Sequence, residues 1–429
     1  MSYLDVSNGY PVSAQASDIP NSIMSSQEPK PIPSSTRLIS VPSSSGAQSA
    51  SGSIRIQVPT GGNTFLKNGS AYLKAKITVT TSAGAGNCFF GNATKSASSI
   101  IRMLTLSIGN QVVEQINDYG LHTAPALLLH GASYGFYNLD SRVMEYTEGT
   151  ITTPAGLSVS LNVCIPLCLG LLQNSNRSLP LCIMTAPLML QVDLYPVAQA
   201  FTSGTATPTS YTVDDVNFVY ESISVDDSYV QALKAQMSAG QLFQIPFTQF
   251  QGISVANSAS LYYNIGLNQS SVKAVLLSLI TNANNVVANQ KFLSEDDFTQ
   301  MDLLKDGMLI NSFPLRTTDL ASQVYAELQR TLGVLGDATI TSSSPDTTFS
   351  NYYSVSSAGV CAGDYTTKYF VAGYNLTRFS NEGLSMNGQP CQQLSVRLSG
   401  AGTAGTLYFT VISDAILTID VNGVVQKII

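Results

Sequence analysis

Apolar and polar positions alternate through Ser53–Val58 (SIRIQV) and again through Ala71–Thr80 (AYLKAKITVT), the two-residue period of half-buried strands. Arg102–Ile116 continues as an apolar strand pattern, and Gly109-Asn110 inside it marks a short hairpin. Asn117–Gly131 then reads as a helix. Leu188–Tyr195 and Val216–Val225 supply further strands. The second half repeats this order. Gly307–Pro314 is strand-like, Thr318–Gly333 is helical, and Thr406–Ile429 closes the chain on strand-rich sequence. Between the halves, Val230, Leu233 and Met237 fall at helical spacing within Asp227–Gly240, with Gly240 as a stop. Gln241–Phe250 and Ser271–Ile280 open the second half as apolar runs. Ser294-Glu295-Asp296-Asp297 has the form of a helix-start box, in which side chains satisfy orphan amides, rather than of a metal site.

Loops rich in Gly, Ser and Thr interrupt both halves at Thr81–Ser99, Ala198–Tyr211 and Asp337–Asp364. Many short strands joined by such loops favour a sandwich or jelly roll over a parallel sheet. Residues 1–50 are Ser- and Pro-rich and cannot bury enough apolar surface to fold alone. They read as an extended arm that orders against a neighbour or an inner layer, with Lys30 and Arg37 as its cations. The expected division is an arm over 1–50, a first β unit over 51–226, a connecting helix over 227–240 and a second β unit over 241–429.

Composition narrows the function. Of 429 residues, 44% are hydrophobic and 11% charged, where about 25% charged is ordinary for a soluble protein. A surface so poor in charge fits one that copies of the chain cover, because interface cores are depleted in charge. A secreted β protein dressed in Ser, Thr and Asn is the plainer alternative. Net charge is −7 with no basic run, so direct nucleic-acid binding, which needs clustered Lys and Arg, is not expected. Six scattered cysteines do not make a disulfide scaffold, and Cys164 and Cys168 read as free thiols in an apolar run. Five N-x-S/T triplets, at Asn68, Asn92, Asn176, Asn268 and Asn375, are what chance gives in such a chain. No signal segment and no membrane span is expected, since Val163–Leu172 and Leu179–Val192 are short and interrupted by proline.

Candidate chemistry is thin. Gly252-Ile253-Ser254-Val255-Ala256 resembles a nucleophile elbow only faintly, since both histidines precede Ser254 and no helix pattern follows it. His122 and His130 are two helical turns apart but lack acidic or thiol companions. Asp214-Asp215 and Asp226-Asp227 flank a strand and read as solvated carboxylates, with a cation between subunits as the alternative. No catalytic, cofactor-binding or metal-binding residue is assigned, and no enzymatic activity or cofactor is expected.

Four segments carry a resemblance to a known family. FLKNGSAYLKAKITV is similar to the passage from the second to the third lettered strand (B into C) of a jelly roll, and IIRMLTLSIGNQVVEQINDYG to a strand–hairpin–helix passage. VNFVYESISVDDSYVQALKAQMSAG resembles the exit from a first jelly roll into a second, and YFVAGYNLTRF…GLSMNGQPCQQLSVRLSG…TLYFTVISDAILTIDVNGVV resembles the closing strands of the second. Together they resemble the double jelly-roll major capsid proteins of tailless icosahedral DNA viruses, in the adenovirus-type lineage and especially its polinton-like virus and virophage branch. The resemblance covers about residues 50–429.

It implies an all-β fold of two tandem eight-stranded antiparallel jelly rolls with short helices in loops. It also implies a homotrimeric, pseudo-hexameric capsomer in the virion shell. Neighbouring capsomers, penton and minor capsid proteins, and an internal membrane met by the N-terminal arm are the implied partners. A secreted or surface β-sandwich module binding carbohydrate stands as the alternative function. Against it is the absence of Trp, for which the 20 Tyr would have to substitute.

Overall fold

The computed structural model describes residues 34–82, 86–91, 96–121, 150–154, 158–173, 177–257, 262–281, 298–311, 313–316, 321–331, 371–377, 387–400 and 405–428. The first half carries β1 (Ser34–Pro42), β2 (Gln48–Ser49), β3 (Ser53–Val58), β4 (Thr64–Leu66), β5 (Tyr72–Thr81), β6 (Gly86–Phe90) and β7 (Ile101–Ile108). It continues with β8 (Gln111–Asn117), β9 (Thr150–Thr153), β10 (Ser158–Pro166), β11 (Leu188–Leu194), β12 (Phe201–Ser203) and β13 (Pro208–Val225). Two short helices, α1 (Gly170–Gln173) and α2 (Val197–Ala200), lie in the connections. One sheet runs β1-β13-β5-β10, with β2 and β4 also on β13. A second runs β3-β11-β7-β8, and a small third runs β12-β6-β9.

Alternation in the sequence becomes the two faces of these sheets. Ile54, Ile56 and Val58 of β3 point inward, as do Leu73, Ala75, Ile77 and Val79 of β5. On the outer face of β5, Thr78 and Thr80 exchange hydrogen bonds with Ser160 and Ser158 of β10 at 2.9 and 2.7 Å. β7 and β8 meet in the two-residue turn Gly109-Asn110, where Gly109 takes φ 58° as the hairpin twist demands.

Helix α3 (Asp227–Ser238) follows, burying Val230 and Met237 and ending before Gly240 at φ 93°. The second half holds β14 (Phe243–Asn257), β15 (Tyr262–Thr281), β16 (Phe298–Lys305), β17 (Met308–Leu309), β18 (Leu315–Arg316) and β19 (Ala372–Asn375). It ends with β20 (Gln389–Gly400), β21 (Gly405–Ile419) and β22 (Val425–Ile428). Helix α4 (Ala321–Thr331) packs on β19. The pairing path is β14-β21-β15-β20-β16-β17, all antiparallel. The 20-residue β15 serves three partners, β20 with Tyr262–Val272, β21 with Val272–Thr281 and β19 with Ala274–Leu277.

One apolar core fills the first sandwich and runs on into Ile245, Phe247, Ala415, Leu417 and Ile419 of the second half. A further core surrounds Phe409, Leu394 and Val396 and takes in Leu121 from the first half. Burial of apolar side chains at about 25 cal/mol per Å² is the main stabilising force in such interiors, so the halves share what holds them together.

Several segments differ from their sequence reading. The Thr81–Ser99 loop contains β6 and a 3₁₀ turn at Ala97–Ile100, and the Ala198–Tyr211 loop contains β12 and the start of β13. Aromatic packing orders this region despite its Gly/Ser/Thr content. Phe201 lies 5.5 Å from Phe90 and 5.1 Å from Tyr211, ring centre to ring centre, and all three are buried. Among its described residues, Gly307–Pro314 forms the two-residue β17, which pairs back onto β16 across a turn at Asp306-Gly307, both at positive φ. Ser34–Pro42, read as part of an arm, pairs along its whole length with Asn217–Val225 of β13.

Surface charge adds little to this frame. The Lys67–Glu221 pair closes at 2.6 Å, but both side chains keep much of their exposure. Lys67→Ala is expected to lower stability by less than about 1 kcal/mol. A larger loss in urea unfolding would show that the pair anchors β4 more firmly than a solvated ion pair should.

Candidate functional site

The densest polar construction lies where the two halves meet. β8 and α1 approach from the first half, β14 and β22 from the second. In β8 the pairing with β7 slips, Leu106 facing Glu114 while Ser107 faces Val112, so Val113 is the extra residue of a bulge. Glu114, on the same face as Ile116, is thereby carried inward to 2% exposure. Its Oε1 accepts from Gly170 N and Phe250 N at 3.0 Å each, and its Oε2 from Leu171 N at 3.4 Å. One carboxyl thus ties β8, α1 and β14 together.

Burial pushes the Glu114 carboxyl up to about 7, against the opposing pull of the three amides and of Lys427. Burial likewise pulls Lys427 of β22 down from the ordinary lysine range, while Glu114 works the other way. The two residues line a polar cavity of about 250 Å³ with Gln115, Asn117, Gln249, Gln251 and Gln269.

Close backbone contact makes the same seam. A Cβ on Gly170 would lie 1.6 Å from the Thr248 carbonyl oxygen, and one on Gly423 would lie 2.4 Å from the Ile183 carbonyl oxygen. Thr185 Oγ1 donates to Gly423 O at 3.2 Å. Arg177 donates to Gln244 O at 3.1 Å while its guanidinium sits 5.8 Å from the centre of the Phe243 ring. Behind β14, the Lys273 ammonium meets Asp414 Oδ1 at 2.9 Å and donates to Thr248 Oγ1 at 3.2 Å. Asp414 Oδ2 accepts from Ser271 Oγ at 2.9 Å and Asn387 N at 3.2 Å.

These arrangements hold chain segments together, and the Ser271 hydroxyl that meets the Asp414 carboxylate is buried among them. Ser254 lies exposed within β14, facing Tyr408, where an elbow would need a strand-to-helix turn. Asp214-Asp215 lie within β13, not at its edge, and Asp226-Asp227 follow its end. Eleven residues of strand, roughly 36 Å, separate Asp215 from Asp226, so the two pairs do not converge within the chain. Asp215 instead faces Lys74 at 3.8 Å. Cys164 is free and half-buried, Cys88, Cys182 and Cys391 are free and buried, and Cys168 is half-buried. His122, His130, Cys361 and Ser294–Asp297 lie outside the described residues. Among the described residues no group of three or more His, Cys, Asp or Glu is placed to hold a metal ion, and no helix is long and apolar enough to cross a membrane.

Neither Glu114 nor Asp414 stood out in the sequence. A lone Glu114 sharing a strand face with Val112 and Ile116 was the available signal, but the bulge that aims it at β14 has no signature of its own. On the outer surface, Met308, Leu309 and Phe313 are exposed within six residues of one another, with Met308 at 68%.

No protein-family model matches the chain, and no curated protein does. Solved structures do. The capsid protein VP54 of the virus PBCV-1, fitted into a reconstruction of the virophage Sputnik, is 11% identical with a TM-score of 0.58, over 95% of this chain and 99% of that one. The faustovirus major capsid protein is 8% identical with a TM-score of 0.57, over 95% and 93% of the two chains. The mavirus major capsid protein is 13% identical with a TM-score of 0.50, over 96% and 94%. At such identities the likeness is one of fold. The fold is all-β, a double jelly roll, with the two sandwiches described above as its halves.

Proposed function

We propose that this chain is the major capsid protein of an icosahedral DNA virus, working by assembly and without catalysis. The observation that carries this reading is the fusion of two jelly rolls across one shared core, matched nearly end to end by capsid proteins that share little sequence with it. Three such chains around a threefold axis present six sandwiches in a near-hexagonal outline, and heterologous contacts around a rotation axis close on themselves. Low charge over the whole chain supports extensive contact between copies, and the exposed side chains of Met308, Leu309 and Phe313 offer apolar surface to such contact.

In this reading the working units are 51–226 and 241–429, joined by a helix within 227–240, with residues 1–50 as an arm toward a neighbour or an internal membrane that is rooted on β13 through Ser34–Pro42 and Gln48–Ser49. Penton and minor capsid proteins complete the shell, the virion is the location, and the genome is not bound directly.

Size measurement of the purified chain tests it. Three copies of the 45.5 kDa chain should run together, at about 137 kDa. A stable monomer at micromolar concentration would overturn the proposal.

A further inference from the structure

Assembly alone gives no use for an ionisable group in the middle of the seam, yet Glu114 is there and nearly inaccessible. Beyond three amide donors, its surroundings offer little to balance a charge. On β8 its neighbours Gln115 and Asn117 are neutral, and α1 (GLLQ) has no ionisable side chain. None occurs anywhere along β14 (FQIPFTQFQGISVAN). From β22 comes Lys427, which lines the same cavity and whose own charge burial weakens. Behind β14, Lys273 and Asp414 pair with each other at 2.9 Å and leave little net charge for Glu114 to feel. Three amides fix the carboxyl in place, so it cannot swing out to water without releasing α1 from β14.

We infer that Glu114 makes the seam between the two jelly rolls proton-sensitive: a proton on its carboxyl favours the closed seam, and loss of that proton leaves a negative charge buried between the sandwiches. The direction follows from linkage. In the unfolded chain the carboxyl titrates near 4.5, and in the folded chain burial holds it at about 7. A folded value above the unfolded one means that the stabilisation is fully present below about pH 4.5. It declines as pH rises and is gone above about pH 7. A difference of two and a half pH units corresponds to a change of up to about 300-fold in the ratio of folded to unfolded chain.

Urea unfolding of the full chain and of Glu114→Gln, at matched concentrations from pH 4.5 to 8, tests this. The wild-type folded ratio should lose up to about 300-fold more across that window than the variant's, because glutamine keeps an accepting oxygen and cannot ionise. Parallel profiles for the two proteins would overturn the inference. Should Glu114→Gln fail to fold, Lys427→Gln decides. Removing the cation that favours the carboxylate should move the midpoint of the pH dependence upward, and an unmoved midpoint would overturn the inference equally.

Discussion

Gly170→Ala should cost the chain about 3 kcal/mol or more, beyond the usual range for a single added methyl group. The new Cβ would stand 1.6 Å from the Thr248 carbonyl oxygen, 2.6 Å from the Thr248 carbonyl carbon and 3.1 Å from Gln249 Cα. All three are backbone atoms of β14, which its pairing with β21 fixes along 15 residues, so no rotamer change can make room. Either α1 retreats or β14 shifts. If α1 retreats, Gly170 N and Leu171 N leave Glu114, and a buried carboxyl loses donors that partly offset its desolvation. The close approach therefore carries two losses, one steric and one polar. Urea unfolding of the variant measures their sum. A midpoint within about 1 kcal/mol of wild type would mean that the seam has slack and that α1 is not pressed on β14. Gly61→Ala makes a useful contrast. A Cβ there meets nothing within 4 Å, so its cost comes only from the left-handed backbone at φ 106°.

How far the sequence foretold this arrangement depends on the kind of signal. Strands with one face in the core announce themselves by alternation, so Ser53–Val58 was readable to the residue and Leu188–Leu194 to within one. The Gly109-Asn110 turn was readable because a two-residue hairpin demands positive φ. Helix α3 was readable from Val230, Leu233 and Met237. Elsewhere tertiary packing overrode composition. Phe201 and Tyr211 order a stretch whose glycines, serines and threonines look like loop, and the turn at Asp306-Gly307 folds Met308–Leu309 back onto β16 as a short hairpin arm. The seam was beyond reach for a different reason. Glu114 and Phe250 are 136 residues apart, and Ser271 and Asp414 are 143 apart. Nothing local in a sequence reports which distant strand a bulge will aim a carboxylate toward. The fold class depends on patterns that each strand carries alone, whereas the site depends on juxtapositions that only the assembled halves create.

β14 is gripped from both sides, and the second grip gives the other large effect. Thr248 presents its carbonyl to Gly170 on the seam, and its hydroxyl accepts from Lys273, whose ammonium is paired with Asp414. The Asp414 side chain is 6% exposed and that of Lys273 is 23% exposed, so this pair has largely left water, unlike Lys67–Glu221 on the surface. Asp414→Ala would strand the Lys273 charge with Thr248 Oγ1 as its remaining partner. It would also take the acceptor from Ser271 Oγ and Asn387 N. Breaking one side of a buried pair in this way costs about 3–5 kcal/mol. Removing both charges should cost much less than the sum of the single changes, because the double variant Lys273→Met/Asp414→Ala leaves no orphaned ion. A double-mutant cycle by urea unfolding at neutral pH measures the coupling. Additive single effects, or an Asp414→Ala loss below about 1 kcal/mol, would show that water reaches the pair and that β14 is held from the seam side alone.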